Sequence, residues 1–302
     1  MKATQSLIYA VVVASMMAPV AQADSMGNMG QTKSLSVASA QQLAANKQLV
    51  LSSYNNNFNH KNSALVTRFI NSSQYDQHSI NGKDGVEGLI KYINYMKAET
   101  PSFAGKNIRM IAEGDFVLSQ TEESSHNKPE AVSMDLYRIK DGKIIEHWDA
   151  VQKYSDQKPL NQNGVVAGGV PNQRSMLAPE RVRQVAREYF SRTWGKLDVG
   201  AIDQYLAPNF IQHNPQVADG RDALRALVGE LHASKTQIKV EIARVLVEKD
   251  FAVVHAKWTD DSGSYAVFDV LRLNDQYQIV EHWDVMGEKI PASNTNQRDV
   301  VF

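Results

Sequence analysis

Apolar positions recur with two different periods along this chain, and the period changes in the same order twice. The second occurrence is the clearer one. From Pro179, a residue suited to the first turn of a helix, Val182, Val185, Ala186, Tyr189 and Phe190 follow helical spacing with Arg and Gln between them. A short helix is predicted over Val199 to Leu206, and a short strand or extended turn over Asn209 to His213. Asp219-Gly220-Arg221-Asp222 has the form of a capping box with Asp in place of the usual Glu. It opens a helix whose apolar face is Ala223, Leu224, Leu227, Val228 and Leu231. Runs rich in Val, Ile and aromatics then predict strands at about Ile238–Glu248, Phe251–Thr259, Tyr265–Leu273 and Gln278–Met286. Polar breaks separate them at Lys249-Asp250, Asp260–Gly263 and Asn274-Asp275. Helices followed by a strand meander predict an α+β domain, with the helices on one face of a curved antiparallel sheet.

The chain uses this pattern twice. Glu146-His147-Trp148-Asp149 returns 135 residues later as Glu281-His282-Trp283-Asp284. Gln77-His78 recurs as Gln212-His213 at the same offset, and Asp84-Gly85 as Asp219-Gly220. A second copy of a string containing both Trp and His is improbable by chance, so the chain is one domain duplicated. In the first copy, Asp84-Gly85-Val86-Glu87 matches the capping box more closely. From Asp135 to Glu146 is 11 residues and from Asp269 to Glu281 is 12, a change placed in the turns between strands. The predicted layout is a targeting segment over 1–23, a lead-in over 24–40, a first domain over 41–155, a linker over 156–177, a second domain over 178–290 and a tail over 291–302.

Composition narrows the setting. Lys2, an apolar run from Leu7 to Met17 and the small residues of Ala21-Gln22-Ala23 predict a signal peptide cleaved before Asp24. That run is short for a membrane span, so the expectation is an exported chain, periplasmic or secreted, with no stable membrane span. Residues 1–23 hold one Lys and no acid, which takes the charged residues from 32 basic and 33 acidic to 31 and 33, a net −2. With no dominant basic patch, nucleic acid is not an expected partner. The chain has no cysteine, so neither disulfides nor thiol chemistry contribute, and each repeat stands on its hydrophobic core.

Alternate residues of a strand share a face. His282 and Asp284 therefore point one way, about 7 Å apart, and Glu281 and Trp283 point the other. His147 and Asp149 separate from Glu146 and Trp148 in the same manner. Enolisation or aldol chemistry without a cofactor needs a base for an acidic carbon proton and a donor for the enolate oxygen. A carboxylate raised in pKa by an apolar pocket can be the base, and a neighbouring imidazole can donate or shuttle the proton. His213, Asp269 and His255 are the further pocket candidates, with Asn214 beside His213. His78 and Asp135 are their counterparts in the first repeat. The same residues also suit structural roles: a His-x-Asp pair can hold a helix by hydrogen bonds, Gln212-His213-Asn214-Pro215 can be a turn, and His255 has only Gln120 at its place in the first repeat. His213, His255, His282 and Asp284 could offer a metal three nitrogens and an oxygen, but tight ligand spacing is lacking and no metal is expected.

The strings Gln212-His213-Asn214-Pro215, Asp219-Gly220-Arg221, Phe268-Asp269-Val270 and Ile279 to Val285 together resemble the SnoaL-like, polyketide cyclase-like branch of the nuclear transport factor 2-like superfamily. The likeness spans nearly all of residues 180–287. The first repeat resembles it more loosely, since Gln77-His78-Ser79-Ile80 lacks the Asn-Pro, although Asp141 to Asp149 fits well. The resemblance implies two tandem cone-shaped α+β barrels, each with an apolar pocket between helices and sheet. It implies an acid/base role for the Asp two residues after the last-strand His, which maps to Asp284 with His282 and to Asp149 with His147. Relatives include aldol cyclases, isomerases and dehydratases that work without a cofactor, and others that only bind. The expectation is acid/base chemistry on a hydrophobic, carbonyl-containing small molecule, with the second, better-matched site carrying it. The alternative is a non-catalytic module that binds a small molecule or a protein. Trp148 and Trp283 share the non-pocket phase, so the repeats are expected to pack sheet to sheet as an intramolecular pseudo-dimer that buries both.

Overall fold

The computed structural model describes residues 39–291 and 299–302. The expected signal peptide and nearly all of the lead-in lie outside the described residues. The first repeat begins with α1 (Ala40–Tyr54), which continues into a π-helical turn (Asn55–Asn59), followed by α2 (Val66–Phe69), β1 (Asp76–Gln77) and α3 (Gly85–Glu99). The meander β2 (Phe103–Glu113), β3 (Phe116–Ser125), β4 (Lys128–Lys140) and β5 (Lys143–Lys153) follows. The second repeat comprises α4 (Pro179–Thr193), α5 (Val199–Tyr205), β6 (Leu206–Gln212), α6 (Arg221–Ala233), β7 (Lys239–Glu248), β8 (Phe251–Asp260), β9 (Gly263–Leu273) and β10 (Ile279–Lys289). The extra residue of the second repeat sits in the last hairpin. Ile139 faces Ile144 around a tight Asp141-Gly142 turn, whereas Leu273 faces Ile279 around a longer one.

Each repeat forms a five-stranded sheet, in the orders β1-β5-β4-β3-β2 and β6-β10-β9-β8-β7. Neither sheet closes, which corrects the expectation of barrels. At one end β1 is only two residues long and pairs in parallel with β5. At the other end β2 is engaged elsewhere: the Ala112 N–H donates to Glu248 at 2.6 Å, and the Val247 N–H of β7 donates to Glu113 at 2.9 Å. Each edge strand thus gives a backbone donor to a carboxylate of the other repeat, which blunts two open edges.

Each sheet has an apolar layer on both faces. On one face the helices pack: Val50, Val66, Ile93 and Ile144 are among the first repeat's core, and Val182, Tyr189, Phe190, Leu224 and Val228 among the second's. On the other face a single cluster takes side chains from both repeats. Leu118, Met134, Leu136 and Trp148 meet Val253, Phe268, Val270 and Trp283, and the two indoles are 2% and 0% exposed. The guanidinium of Arg109 lies 3.9 Å from the Trp283 ring centre, and that of Arg244 lies 4.2 Å from the Trp148 ring centre. Both arginines are thus shared across the seam, and desolvated contacts of this kind contribute about 2 kcal/mol each.

Segments outside the two meanders also pack into this layer. Gly164 O meets the His213 ring, and Ala167 O accepts from Arg109 and from the Trp283 indole. At the other end Asp299 O meets the His78 ring, while Val300 and Val301 are buried against Ala266. Gly164-Val165-Val166 and Asp299-Val300-Val301 stand 135 residues apart, so this strap belongs to the repeated unit.

The capping-box expectation is corrected in both repeats. Asp84 makes no side-chain cap on α3, and the N-cap of α6 is Gly220. Asp84 instead accepts from the Gln77 N–H at 2.8 Å, and Asp219 from the Gln212 N–H at 2.9 Å. The turn that brings each Asp back to β1 or β6 runs through Gly85 (φ 76°) or Gly220 (φ 88°), a conformation that glycine adopts without steric cost.

Candidate active site

The last strand of the first repeat turns His147 and Asp149 toward the helices. Asp135 of β4 lies directly across from Asp149, and Glu123 of β3 faces Ala131 two pleat repeats further along the same face. Helix residues Tyr54, Asn57 and Tyr92 stand opposite. Between helices and sheet lies a cavity of about 850 Å³, a size typical of small-molecule sites. The Tyr54 ring lines it and its hydroxyl ends against Gly105, where any Cβ would collide with the phenol. Asn59 secures that approach, with one amide bond to Gly105 O and one from Gly105 N. The Tyr54 hydroxyl is buried and has no hydrogen-bond partner among the described residues.

Both ring nitrogens of His147 are engaged. Nδ1 meets Gln77 Oε1 at 2.9 Å and Nε2 meets Asp135 Oδ1 at 3.1 Å. The Gln77 oxygen also accepts from the Ser79 backbone N–H at 3.0 Å, which fixes the amide orientation and makes Nδ1 a donor. Nε2, on the other side of the ring, faces the Asp135 carboxyl group. Burial alone would lower the imidazolium pKa, but the Asp135 hydrogen bond and the charges of Asp149 and Asp135 outweigh it, and the pKa is raised. Burial pushes the Asp149 carboxyl up, assisted by Asp135 and opposed by His147 and a Ser79 hydrogen bond. Burial, with the charges of Asp135 and Asp149, lifts Glu123 to about 7. Burial also raises the Tyr54 phenol, which therefore stays a donor.

The second repeat has the same relay without the space. His282 Nδ1 meets Gln212 Oε1 at 3.0 Å, and Nε2 meets Asp269 at 2.8 Å. Asn214, expected to bind ligand, donates to Asp284 at 2.8 Å, and its own N–H fixes the Gln212 amide at 2.9 Å. The cavity beside Asp284 measures about 10 Å³, too small for a substrate. Two positions account for the difference. Where Glu123 faces Ala131, the second repeat has Trp258 facing Tyr265. Both aromatics are buried, and Trp258 packs edge to face on Trp194 with ring centres 5.7 Å apart. The expectation of a pocket in each repeat, with the second as the working site, is corrected: the substrate-sized cavity described here belongs to the first repeat.

Three expected pocket histidines lie on the seam face instead. His78 bonds Glu146 at 3.0 Å and stacks on Trp148 at 4.6 Å; His213 bonds Glu281 at 2.8 Å and stacks on Trp283 at 4.6 Å. The cause is parity. Gln77 and Gln212 pair with His147 and His282 and share their face, so the next residue in each strand points away. His255 is wholly buried, stacks on Phe268 at 4.1 Å and accepts from Arg244 at 2.8 Å. Burial and the Arg244 charge push its pKa well down, so it is neutral. His213 and His255 therefore do not converge with His282 and Asp284, and among the described residues no group of three metal-ligating side chains forms a site. The residues missed from sequence are Gln77, Gln212, Tyr54 and Glu123. Gln77 and Gln212 were duplicated as visibly as their histidine neighbours.

Two family models match the chain: a SnoaL-like polyketide cyclase over residues 48–158 and a SnoaL-like domain over residues 186–282. The chain is a tandem pair of SnoaL-like domains. Solved structures similar to one SnoaL-like domain include TsrD from Streptomyces laurentii, 22% identical, which spans 36% of this chain and 90% of its own with a TM-score of 0.32. An LEH-like epoxide hydrolase of M. tuberculosis is 14% identical over 36% of this chain and 84% of its own, with a TM-score of 0.31. An NTF-2 like protein of Burkholderia xenovorans is 14% identical over 38% and 88%, with a TM-score of 0.33. No curated protein matches the chain. Among the described residues, no helix of the SnoaL-like pair is long and apolar enough to cross a membrane.

Proposed function

We propose that the first SnoaL-like domain is the working half, and that its cavity binds a small, largely apolar carbonyl compound and enolises it without a cofactor, in an isomerase-, cyclase- or aldol-type reaction. The observation that carries this reading is the cavity of about 850 Å³ walled by Glu123, Asp135, His147 and Asp149. Asp149 or Glu123 takes the proton from the carbon next to the carbonyl, since both are held above the usual carboxylate range and so are better matched to a carbon acid. Donation from the unpartnered Tyr54 hydroxyl to the oxygen on which charge develops requires that hydroxyl to turn from Gly105 into the cavity. His147, held by Gln77 and Asp135, offsets the negative charge of the neighbouring carboxylates. The second domain acts as scaffold. Two further parts of the proposal are that the domains form an intramolecular pseudo-dimer, supported by the reciprocal arginine–tryptophan contacts, and that the chain is exported after cleavage between Ala23 and Asp24.

The competing reading is a binding module without chemistry. It draws on one observation: both His147 nitrogens are satisfied within the protein. A screen of carbonyl and lactone compounds by thermal shift and turnover separates the two. Asp149→Asn should lower turnover by about 10²–10⁴-fold, while Asp284→Asn should leave it within a few fold. Compounds that bind but are never turned over, with no response to either change, would establish the binding module.

A further inference from the structure

The cavity of the first domain is completed by the second. Tyr265, Ala266, Met286, Gly287 and Lys289, from β9 and β10, line it together with first-domain residues. The join is held in register by the Met286 N–H, which donates to Gln152 of β5 at 3.0 Å, and by Gly287, which lies against Ala150. Charge is unevenly spread along this composite wall. Glu123, Asp135 and Asp149 are on the sheltered sheet face, whereas Lys83, Lys153 and Lys289 line the cavity from exposed positions. Exposed Glu288 also lines it, so the exposed part of the lining carries net +2. None of the three lysines forms an ion pair among the described residues. The duplication supplies an internal control. At the 135-residue offset Lys83 corresponds to Ala218 and Lys153 to Glu288, so the second domain has no lysine of its own at either place, although Lys153 also lines the small cavity beside Asp284.

We propose, building on the reading of this cavity as a small-molecule site, that its ligand is an amphipathic carboxylate whose anionic end sits at the mouth among Lys83, Lys153 and Lys289. The sheltered carboxylates repel an anion from the inner end, and the lysines attract it at the outer end. A ligand with an apolar, carbonyl-bearing body and one carboxylate is thereby held in a single direction, with the reacting carbon toward Asp149. Lys289 comes from the second domain, so the scaffold half takes part in selecting the ligand.

The test uses the full chain and three simple probes, octanoate, its methyl ester and octyltrimethylammonium, titrated calorimetrically at low and high salt. Octanoate should bind about tenfold more tightly than the ester at low salt, the scale of a few exposed charge contacts, and the preference should collapse at high salt. The triple variant Lys83→Gln, Lys153→Gln, Lys289→Gln should bind both alike, while the matching triple Arg variant keeps the preference. Equal affinity for octanoate and ester, tighter binding of the cation, or a preference that survives the Gln triple would overturn the carboxylate assignment and leave the cavity reading intact. Glu123→Trp, which imitates the filled domain, should abolish binding of every probe. Unchanged binding in that variant, or no binding of any probe to the native chain, would overturn the cavity reading as well.

Discussion

Glu123 should make the protein less stable as pH rises, and removing its charge should reverse this. Burial and two neighbouring aspartates lift its pKa from 4.5 to about 7. The folded state therefore holds a proton that the unfolded chain has already released. A carboxyl shifted upward contributes no penalty below about pH 4.5, a growing one between 4.5 and 7, and its full cost above 7. At about 1.4 kcal/mol per pKa unit, a rise from 4.5 to about 7 amounts to roughly 3.5 kcal/mol. That is an upper figure, because the cavity admits water to this side chain. Glu123→Gln keeps the shape and removes the titration. Urea denaturation followed by tryptophan fluorescence should show the variant equal to the native chain near pH 4.5 and more stable at pH 8, by about 1–3 kcal/mol. Glu130→Gln, at an exposed position of the neighbouring strand, serves as the control and should change little at either pH. A Glu123→Gln variant that loses stability at pH 8, or that differs from the native chain equally at both pH values, would show that Glu123 is solvated like a surface residue and would remove it as a base.

Two further perturbations probe the asymmetry and the seam. Trp258→Ala should cost about 3–5 kcal/mol by urea denaturation, because its indole fills the space that Glu123 leaves open in the first domain; a loss below about 1 kcal/mol would mean that other side chains close that core. Glu113→Ala and Glu248→Ala each strand a backbone donor of the opposite edge strand and also an ion-pair partner, Arg183 and Lys47, and should each lower stability by about 1–3 kcal/mol; a loss below about 0.5 kcal/mol from either would show that its edge is held by other contacts.

Much of the architecture was legible in the sequence because the duplication displayed every pattern twice. The helix at Pro179, the four strands after Ile238 and the split of Trp283 from His282 follow from period and parity alone. The misplacement of His78 arose where parity had no run to act on. β1 is two residues long, so nothing in its own pattern says whether Gln77 or His78 faces the helices. Histidine drew attention because of its chemistry, yet the glutamine holds the pocket imidazole. The Asp-Gly pairs looked like helix caps because local spacing permits it, whereas the tertiary fold uses them to bind the backbone of β1 and β6. The strap was hidden by composition, since Gly164-Val165-Val166 lies among linker residues and Asp299-Val300-Val301 in a polar tail.

Occupancy of the two cavities was the least legible property, although both deciding positions are plain in the sequence. Volume is set by pairs across strands, Glu123 with Ala131 and Trp258 with Tyr265, and a pair cannot be read until the register is known. Comparison of the two domains then separates what the seam requires from what a ligand requires. Arg109 and Arg244, Trp148 and Trp283, Glu113 and Glu248, and Glu146 and Glu281 keep their identities, because each member of a pair completes an interface shared by both domains. The Gln-His-Asp relay also persists in both, including the domain whose core is full. Its persistence there shows that buried hydrogen bonding is sufficient reason to keep it, so the repeated His-x-Asp string is not by itself a sign of catalysis. The distinguishing residues are the ones that changed. Glu123 and Ala131 leave space and carry a destabilised charge, and Lys83 and Lys153 stand at its mouth. A domain that accepts a desolvated carboxylate beside an open cavity gives up stability that its twin gains with two aromatics, the pattern expected where function and not packing determines the residue.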